Sequence, residues 1–270
     1  MPRCEVGIVG MNRLLAHYCR LVISERMPKL MIWCYDNRRA VLPFITLAIM
    51  LLIWELTARY SGWSPHVFPS PSKVVYSTGE LIANGALLRH SIASLFRVTV
   101  GFYLAVVFAI PLGIFLGRME IFNLMLNPLI QFLRPISPLA WIPLAVLWFG
   151  IGDKPAVFLI FLSCFFPLVV ATAIAAHAIN PIFFQVAANF KFNHWETITK
   201  IILPAIMPNV LTALRLTMGI GWLVVVAAEM LAVRSGLGYL ILDSRNALRM
   251  DYVMVGMMMI GLLGIVLDEL

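Results

Sequence analysis

Four ionisable side chains lie within, or at the ends of, long apolar stretches of this sequence. They are Arg97, Arg134, Arg215 and Glu229. An ionisable group in a bilayer is costly, so such groups usually face the interior of a helix bundle or a water-filled cavity. Arginines in these positions could attract an anion, and Glu229, near the outer mouth, could guide docking or gating. The structural alternative is that each arginine extends its charged head to the membrane surface, with Arg134 at a helix end.

The spacing of Arg215 and Glu229 places both on one face of a predicted helix. They lie fourteen residues apart, which is nearly four helical turns, or about 21 Å along the axis. They therefore cannot pair within one helix, and their shared face predicts the lining of a translocation pathway, to which Arg97 and Arg134 also contribute. Trp141 is a further candidate for a wall of this pathway. The alternative is that it belongs to the aromatic belt at the membrane surface.

The sequence contains none of the short patterns that carry common catalytic or metal chemistry. GxxxxGK[ST], HExxH and GxSxG are absent, and the four cysteines form no CxxC pair. We therefore expect no nucleotide bound through a P-loop, no catalytic residue and no metal site. The same absences predict no cofactor, no disulfide and no enzymatic activity in this chain.

The composition places the chain in a lipid bilayer. Hydrophobic residues make up 61% and charged residues 12% of the 270 residues, whereas soluble domains have about 45–50% and about 25%. A span needs roughly 20 apolar residues, so six spans would use about half of the chain. We therefore predict an all-α, polytopic membrane protein with about six transmembrane helices.

Six apolar segments predict these spans. They are residues 42–60, 92–116, 122–149, 156–176, 209–232 and 252–267. The third is unusually long and is interrupted by Pro128, Pro135, Pro138 and Pro143. Backbone groups freed by proline must be satisfied by protein or by water in a cavity, so this span should not face lipid along its whole length. The third and fifth spans are the predicted walls of the pathway.

Two polar segments complete the predicted transmembrane domain of residues 41–270. Residues 70–89 begin with Ser70 and Pro71, an N-cap followed by proline at the first helical position, and carry apolar residues at helical spacing. They predict an amphipathic helix at the outer membrane surface. Residues 177–208 are too polar to insert and predict a cytoplasmic loop that presents a short helix to a partner.

Residues 1–40 form a basic segment in front of the first span. They carry seven Lys or Arg and three acidic residues, and this excess, 7 − 3 = +4, is the larger part of the net charge of +7. Cationic flanks favour the cytoplasmic side. We therefore predict a multi-pass protein of the bacterial inner membrane with both ends in the cytoplasm. A lipid-binding arm is the alternative interpretation of these charges, and nucleic acid is not an expected partner.

The polar loop carries residues that are typical of a known family. Residues 185–208 read QVAANFKFNHWETITKIILPAIMP, in which Ile201, Leu203 and Pro204 form I-x-L-P. This segment resembles the cytoplasmic EAA loop of the permease subunits of ABC importers, which has E-A-A, then a glycine, then I-x-L-P. Ala187 matches the second alanine of that pattern.

Three positions depart from the family pattern. Gln185 replaces the acid, Val186 the first alanine, and Lys191 the glycine, which normally permits a tight turn between two short helices. Either Lys191 takes a left-handed conformation, at a cost of roughly 1 kcal/mol, or Asn189 or Asn193 takes it instead. The resemblance implies that the loop couples to an ATPase through Gln185, Ala187, Ala188, Lys191, Trp195, Leu203 and Pro204.

Further motifs extend the resemblance from about residue 42 onward. These are PSP at 69–71, RPISPLAWIPL at 134–144, WFGIG at 148–152, and GWLVVVAAEM at 221–230 followed by SGLGYLI. They are similar to the nitrate, sulfonate, taurine and bicarbonate branch of the binding-protein-dependent transport family, and imply the permease fold of type I ABC importers. Relatives usually carry a basic tail after the sixth span, whereas the sequence here ends at Leu270. At the other end, Met11 is an alternative start.

The resemblance implies an ATP-driven importer of a small anion, of the nitrate, bicarbonate, sulfonate or taurine class. This chain would form the translocation pathway as a homodimer in membrane lipid. Its partners would be two cytoplasmic subunits that bind ATP and Mg, and an extracytoplasmic solute-binding protein. The alternative from another class is a stand-alone secondary carrier or channel, which needs no ATPase and leaves the loop at 177–208 without a task.

Overall fold

The computed structural model describes residues 38–60, 62, 64 and 67–269. Within these ranges the chain forms helices and turns and has no strand, which confirms the prediction of an all-α fold. The predicted basic segment 1–40 lies outside the described residues, except for its last three positions, which begin the first helix.

The helices differ widely in length, and two short non-α segments interrupt them. In chain order they are α1 (Arg38–Tyr60), α2 (Pro71–Ala83), α3 (Ala86–Arg118), α4 (Glu120–Leu133), a 3₁₀ turn (Pro138–Trp141), α5 (Ile142–Phe149), α6 (Asp153–His177), α7 (Pro181–Asn189), α8 (His194–Thr197), a π turn (Ile198–Ile202), α9 (Leu203–Ala232), α10 (Leu237–Asn246) and α11 (Met250–Glu269).

The described residues contain five helices that are long and apolar enough to cross a membrane. These are α1, α3, α6, the continuous helix His194–Ala232 and α11. The pair formed by α4 and the segment 138–149 becomes a sixth if it is one broken span, which agrees with the predicted number. The helix α1 belongs to a first compact unit that ends at residue 62, and the other helices belong to a second.

The amphipathic helix predicted for residues 70–89 is shorter than expected. It is α2, whose N-cap is Ser70 with Pro71 in the first turn, and it ends at Ala83. Gly85 then adopts a φ of 63°, and α3 begins at Ala86 rather than at residue 92. The left-handed conformation at Gly85 separates the two helices, and glycine adopts it at no steric cost.

The predicted third span is broken, but not at every proline that it contains. Its two halves meet at an angle of 85°, and the break lies between Leu133 and Pro138. Pro128 lies inside α4 without ending it, and Pro143 lies in the first turn of α5. Proline is tolerated in a first turn because its missing N–H has no helical partner there.

The fifth span is longer than its sequence predicts. Its α-helix begins at Leu203 rather than at residue 209, and it continues the loop helix without interruption from His194. The loop predicted for residues 177–208 is therefore helical over most of its length. Pro204 lies two residues after the π turn and Pro208 lies inside α9, and neither proline ends the helix.

Close packing of α3 on α6 forms the centre of the second unit. The two helices run parallel, and a Cβ atom placed on Gly113 would lie 2.6 Å from the Cβ of Thr172. At Gly117 it would lie 2.5 Å from the carbonyl oxygen of Ala173. Small residues at intervals of four let two backbones approach in this way. The buried stripe on α3 consists of Gly101, Ala105, Ala109, Gly113 and Gly117.

The helix α9 packs antiparallel on α6 and completes a three-helix core. Ile206 and Val210, near its start, cluster with Ala176 near the end of α6. Ala228, near its end, clusters with Ala156 near the start of α6. We name the two ends of this bundle the Asp153 end and the His177 end, after the first and last residues of α6.

We expect Gly117→Leu to destabilise the protein, because the added side chain would meet the backbone of α6. Overpacking of this kind costs about 1–3 kcal/mol. The matched control is Gly261→Leu, since a Cβ atom at Gly261 meets nothing within 4 Å. The thermal unfolding midpoint in detergent should fall by several degrees for the first variant and little for the second. Equal midpoints would contradict the role assigned to the close approach.

Candidate functional site

A buried ion pair lies near the Asp153 end and joins α3 to α9. The Nη1 of Arg97 lies 2.5 Å from the Oε1 of Glu229. The side chain of Arg97 is 2% exposed, and that of Glu229 is 0% exposed. The structure thus brings together two of the residues that the sequence singles out for the pathway, and places both inside one subunit.

Every oxygen of the Glu229 carboxylate has a donor. Besides the arginine, the hydroxyl of Ser94 donates to its Oε2 at 2.8 Å, and the N–H of Gly238 donates to the same oxygen at 3.0 Å. The Ser94 hydroxyl also accepts from the N–H of Leu237 at 2.9 Å. A buried charge needs such saturation, because the desolvation penalty is otherwise not offset.

Arg97 extends this network to α6 and to the turn after α9. Its Nε donates to the Oδ1 of Asp153 at 2.8 Å, and its Nη1 donates to the carbonyl oxygen of Ser235 at 2.8 Å. Its Nη2 donates to the hydroxyl of Ser235. Asp153 is 60% exposed, so one carboxylate of the network is buried and the other faces outward. Arg97 therefore ties α3, α6, α9 and the turn 233–236 together.

The sequence gives only part of this network. Asp153, Ser94 and Ser235 are not among the predicted site residues, since aspartates and serines are common in turns and serines are also common in helices. One sequence signal points to the turn: the pair Ser235-Gly236, which follows the end of α9 by three residues. Gly236 has a φ of 105°, a conformation that favours glycine, and it allows this turn to fold back over the carboxylate.

A second ionic cluster at the same end joins α2 to the start of α11. The guanidinium of Arg249 donates to Asp251 at 2.9 Å and to Glu80 at 3.3 Å. The hydroxyl of Ser77 donates to Asp251 at 2.8 Å, and that of Tyr252 to Glu80 at 2.9 Å. These contacts are not anticipated by the sequence, because the residues are far apart in the chain.

The remaining predicted pathway residues lie apart from the buried pair. Arg134 is the exposed C-cap residue of α4, at the break in the third span. Arg215 is exposed on α9, and within the described residues neither arginine forms an ion pair. Trp141 is half-buried and packs against the cluster that contains Ala145 and Ala156. On α9, the turn after the helix covers Glu229, whereas Arg215 remains uncovered.

At the His177 end, a helical hairpin occupies the loop that was compared with the EAA pattern. The α7 helix is capped by Asn180, whose side chain accepts from the N–H of Ile182 at 3.0 Å. The next helix begins with a capping box, in which Asn193 and Glu196 satisfy each other's backbone N–H groups. Local sequence signals thus define both short helices.

Lys191 takes the left-handed position between these helices. Its φ is 52°, and its N–H donates to the carbonyl of Ala188 while that of Phe192 donates to the carbonyl of Ala187, both at 3.0 Å. This pair of bonds is a Schellman motif, in which the left-handed residue is usually glycine. Of the two alternatives left open by the sequence, Lys191 rather than a neighbouring asparagine adopts the conformation.

The seven predicted coupling residues differ in exposure. Ala187 is buried within this chain, at 4% exposed, whereas Trp195 is 73% exposed. The remaining five are exposed: Gln185, Ala188, Lys191, Leu203 and Pro204.

Two contacts fix the hairpin to the bundle. The guanidinium of Arg118, the last residue of α3, lies 3.6 Å from the centre of the Phe184 ring in α7. Ile198 of the π turn packs against the cluster that contains Ala176 and Ile179. The hairpin is therefore attached to the ends of α3 and α6, while Trp195 remains exposed.

The described residues form an all-helical protein with five or six candidate membrane spans and a polar helical hairpin between two of them. This arrangement is that of a polytopic membrane protein whose hairpin resembles the coupling loop of importer permeases. Residues 109–268 match the family described as "binding-protein-dependent transport system inner membrane component". The chain belongs to this family.

Three relatives agree with this assignment. A Methanocaldococcus jannaschii protein whose name describes an ABC transporter permease is 38% identical over 87% of this chain and 89% of its own length. The taurine transport system permease protein of Escherichia coli is 31% identical over 86% of each chain. The nitrate import permease protein of Synechocystis is 32% identical, also over 86% of each.

These matches confirm the resemblance to ABC importer permeases. The chain is a multi-pass permease subunit, a transport component rather than an enzyme. The family implies an ATPase and a substrate-binding protein as partners. A stand-alone carrier is not favoured.

We predict unequal effects at the two acids that contact Arg97. Glu229→Ala leaves the arginine buried without its buried partner, and breaking such a pair costs about 3–5 kcal/mol. Asp153→Ala removes a mostly exposed partner and should cost at most about 1 kcal/mol. Thermal unfolding of the purified subunit measures both variants. Equal losses of stability would show that burial does not determine how much each acid contributes to stability.

We also predict that Lys191→Gly is at least as stable as the parent chain. Glycine removes the steric cost of a left-handed residue, about 1–2 kcal/mol, and its unfolded-state entropy offsets part of this gain. Lys191→Val is the matched control, since a β-branched residue is strained at this φ, and it should lower the unfolding midpoint. A midpoint for Lys191→Gly below that of the parent chain would contradict the prediction.

Proposed function

We propose that two copies of this chain form the transmembrane pathway of an ATP-driven importer for a small oxoanion. The class of substrate is that of sulfonates, nitrate and bicarbonate. The named relatives carry out taurine transport and nitrate import, and both of those solutes present negatively charged oxygens.

The observation that carries the proposal is the exposure of Arg134 and Arg215 to their surroundings. Both are exposed on helices that are candidate membrane spans or parts of one, and an exposed cation in a span is costly unless it faces water. In a two-fold dimer each charge occurs twice, so these positions supply four positive charges. Such a field concentrates anions and repels cations.

The buried residues take a supporting role in this proposal. Arg97 and Glu229 hold α3 and α9 in register at the outer mouth of the pathway, and Trp141 contributes to its wall above the break in the third span. Their contacts lie within one subunit, so the anion meets the two exposed arginines rather than the buried pair.

The exposed part of the hairpin is the proposed contact with the ATPase, which binds the ATP and Mg. Gln185, Ala188, Lys191 and Trp195 face outward. Ala187 is buried beneath them, and Leu203 and Pro204 lie exposed at the start of α9. The His177 end then faces the cytoplasm, as do both ends of the chain, in the inner membrane of a bacterium. The exposed leucines and isoleucines of the spans contact lipid or the second copy.

The test is uptake of labelled taurine or nitrate into proteoliposomes that hold the assembled complex, with ATP and binding protein. Arg134→Gln and Arg215→Gln should each lower uptake by about tenfold or more, and the lysine variants much less, because charge rather than shape attracts the anion. Arg89→Gln, an exposed arginine near the start of α3, is the control and should leave uptake unchanged.

One control and two results decide the proposal. The control is co-purification of each variant with the ATPase, so that a loss of uptake cannot come from a failure to assemble. Unchanged uptake in both glutamine variants would overturn the electrostatic pathway. Gradient-driven uptake by this chain without an ATPase would overturn the importer itself.

A further inference from the structure

One face of α4 carries polar side chains in an otherwise apolar helix. Asn123, Asn127 and Gln131 recur at intervals of four, and Arg134 follows three residues later. At 100° per residue these four positions fall within an arc of about 80°. The opposite face carries Met125 and other large apolar residues that are exposed.

Polar side chains inside a membrane are energetically costly unless they find polar partners or water. Amide side chains there usually bond to a neighbouring helix or line a water-filled cavity. The bond found here joins two members of the stripe: the Nε2 of Gln131 donates to the Oδ1 of Asn127 at 3.5 Å. Bonds to another helix therefore do not account for the stripe among the described residues.

The three amides line a cavity between α4 and α6. Its volume is about 300 Å³, and it is bounded by Asn123, Asn127, Gln131 and His177 together with apolar residues of α3 and α6 such as Val169. One water occupies about 30 Å³ in the liquid, so the cavity has room for about ten waters or for a small hydrated ion.

A second cavity continues the first toward the His177 end. It has a volume of about 770 Å³ and shares Asn123 and His177 with the first. Arg118, Glu120 and Asn180 also line it. The two spaces therefore follow the polar face of α4 from the end of the bundle up to Gln131, one helical turn before Arg134.

The charges along this route favour an anion that passes without strong binding. Arg118 and Glu120, the single acid among the described residues that line the two cavities, lie at one end, and Arg134, which lines neither cavity, follows Gln131 by three residues at the other. Between these ends the polar groups are amides and His177. Amide N–H groups can donate to oxoanion oxygens, and the described residues that line the cavities include no lysine or arginine between the ends, which keeps the ion from being trapped.

We propose that the polar face of α4, formed by Asn123, Asn127 and Gln131, is the inner half of the anion's route, between Arg134 and the His177 end. This inference rests on the proposed function, since it takes the transported solute to be a small oxoanion. It adds a passage site on α4 that is distinct from the arginines.

The test is the reactivity of single cysteines in the assembled complex, with the four native cysteines replaced by alanine. Asn127→Cys and Gln131→Cys are treated from the His177 end with anionic 2-sulfonatoethyl methanethiosulfonate. Met125→Cys, on the opposite face, is the matched control. Rates are normalised to a free thiol and compared with those of the cationic trimethylammonium analogue.

Reaction of the anionic reagent at positions 127 and 131 should be about tenfold or more faster than at 125, should exceed the normalised rate of the cationic reagent, and should slow in the presence of nitrate or taurine. Equal rates on the two faces, a preference for the cation, or no slowing by either anion would each overturn the inference.

An activity measurement separates this inference from the proposed function. Asn127→Leu combined with Gln131→Leu should lower uptake about fivefold or more while the ATPase is still stimulated by the binding protein, and the exchanged pair Asn127→Gln with Gln131→Asn should retain uptake. Unchanged uptake in the leucine pair overturns the passage site. Failure of the proposed function would appear instead as a parental complex without ATP-dependent uptake.

Discussion

The close approach of α3 and α6 is the constraint on which the rest of the bundle depends. Their backbones nearly touch at Gly113 and Gly117, a distance that only small residues allow. Lipid gives no hydrophobic driving force between helices, so the stability of such a pair comes from van der Waals contact along its length. With these two helices fixed, α9 packs on α6, and α4 packs against both α3 and α6 through Ile130.

The Arg97 network acts on this framework at one end. It places full charges where the surroundings are apolar, and it offsets their cost by giving each one several partners. Its members come from four helices, α3, α6, α9 and α10, and from the turn after α9, so the network fixes the positions of these helices relative to one another along the bundle axis. The Arg249 cluster does the same for α2 and α11.

Much of the fold follows from the sequence because membrane insertion depends on length and hydropathy. The number of candidate spans, the broken third span and the Ser70 cap are read directly from residue types. Helix ends are less predictable: Gly85 ends the outer helix before residue 89 and lets α3 begin at Ala86 rather than at residue 92, and the fifth span extends back past Pro208 and Pro204 to His194.

The site was predictable only in part, for a physical reason. Ionisable residues in apolar segments can be found one at a time, and Arg97 and Glu229 were found in this way. Their mutual contact depends on how two helices separated by 132 positions pack, which periodicity does not encode. Lys191 shows the opposite case, because a family glycine position indicated a left-handed residue and the structure has one there.

The continuity of the helix His194–Ala232 has a mechanical consequence. Thirty-nine residues without a break make a rod of about 58 Å, with Trp195 near one tip and Glu229 near the other. The rod packs antiparallel along α6 from Ile206 to Ala228, and backbone hydrogen bonds resist stretching along a helix axis, so its two tips cannot shift independently along that axis. The π turn at 198–202 lies between Trp195 and α9.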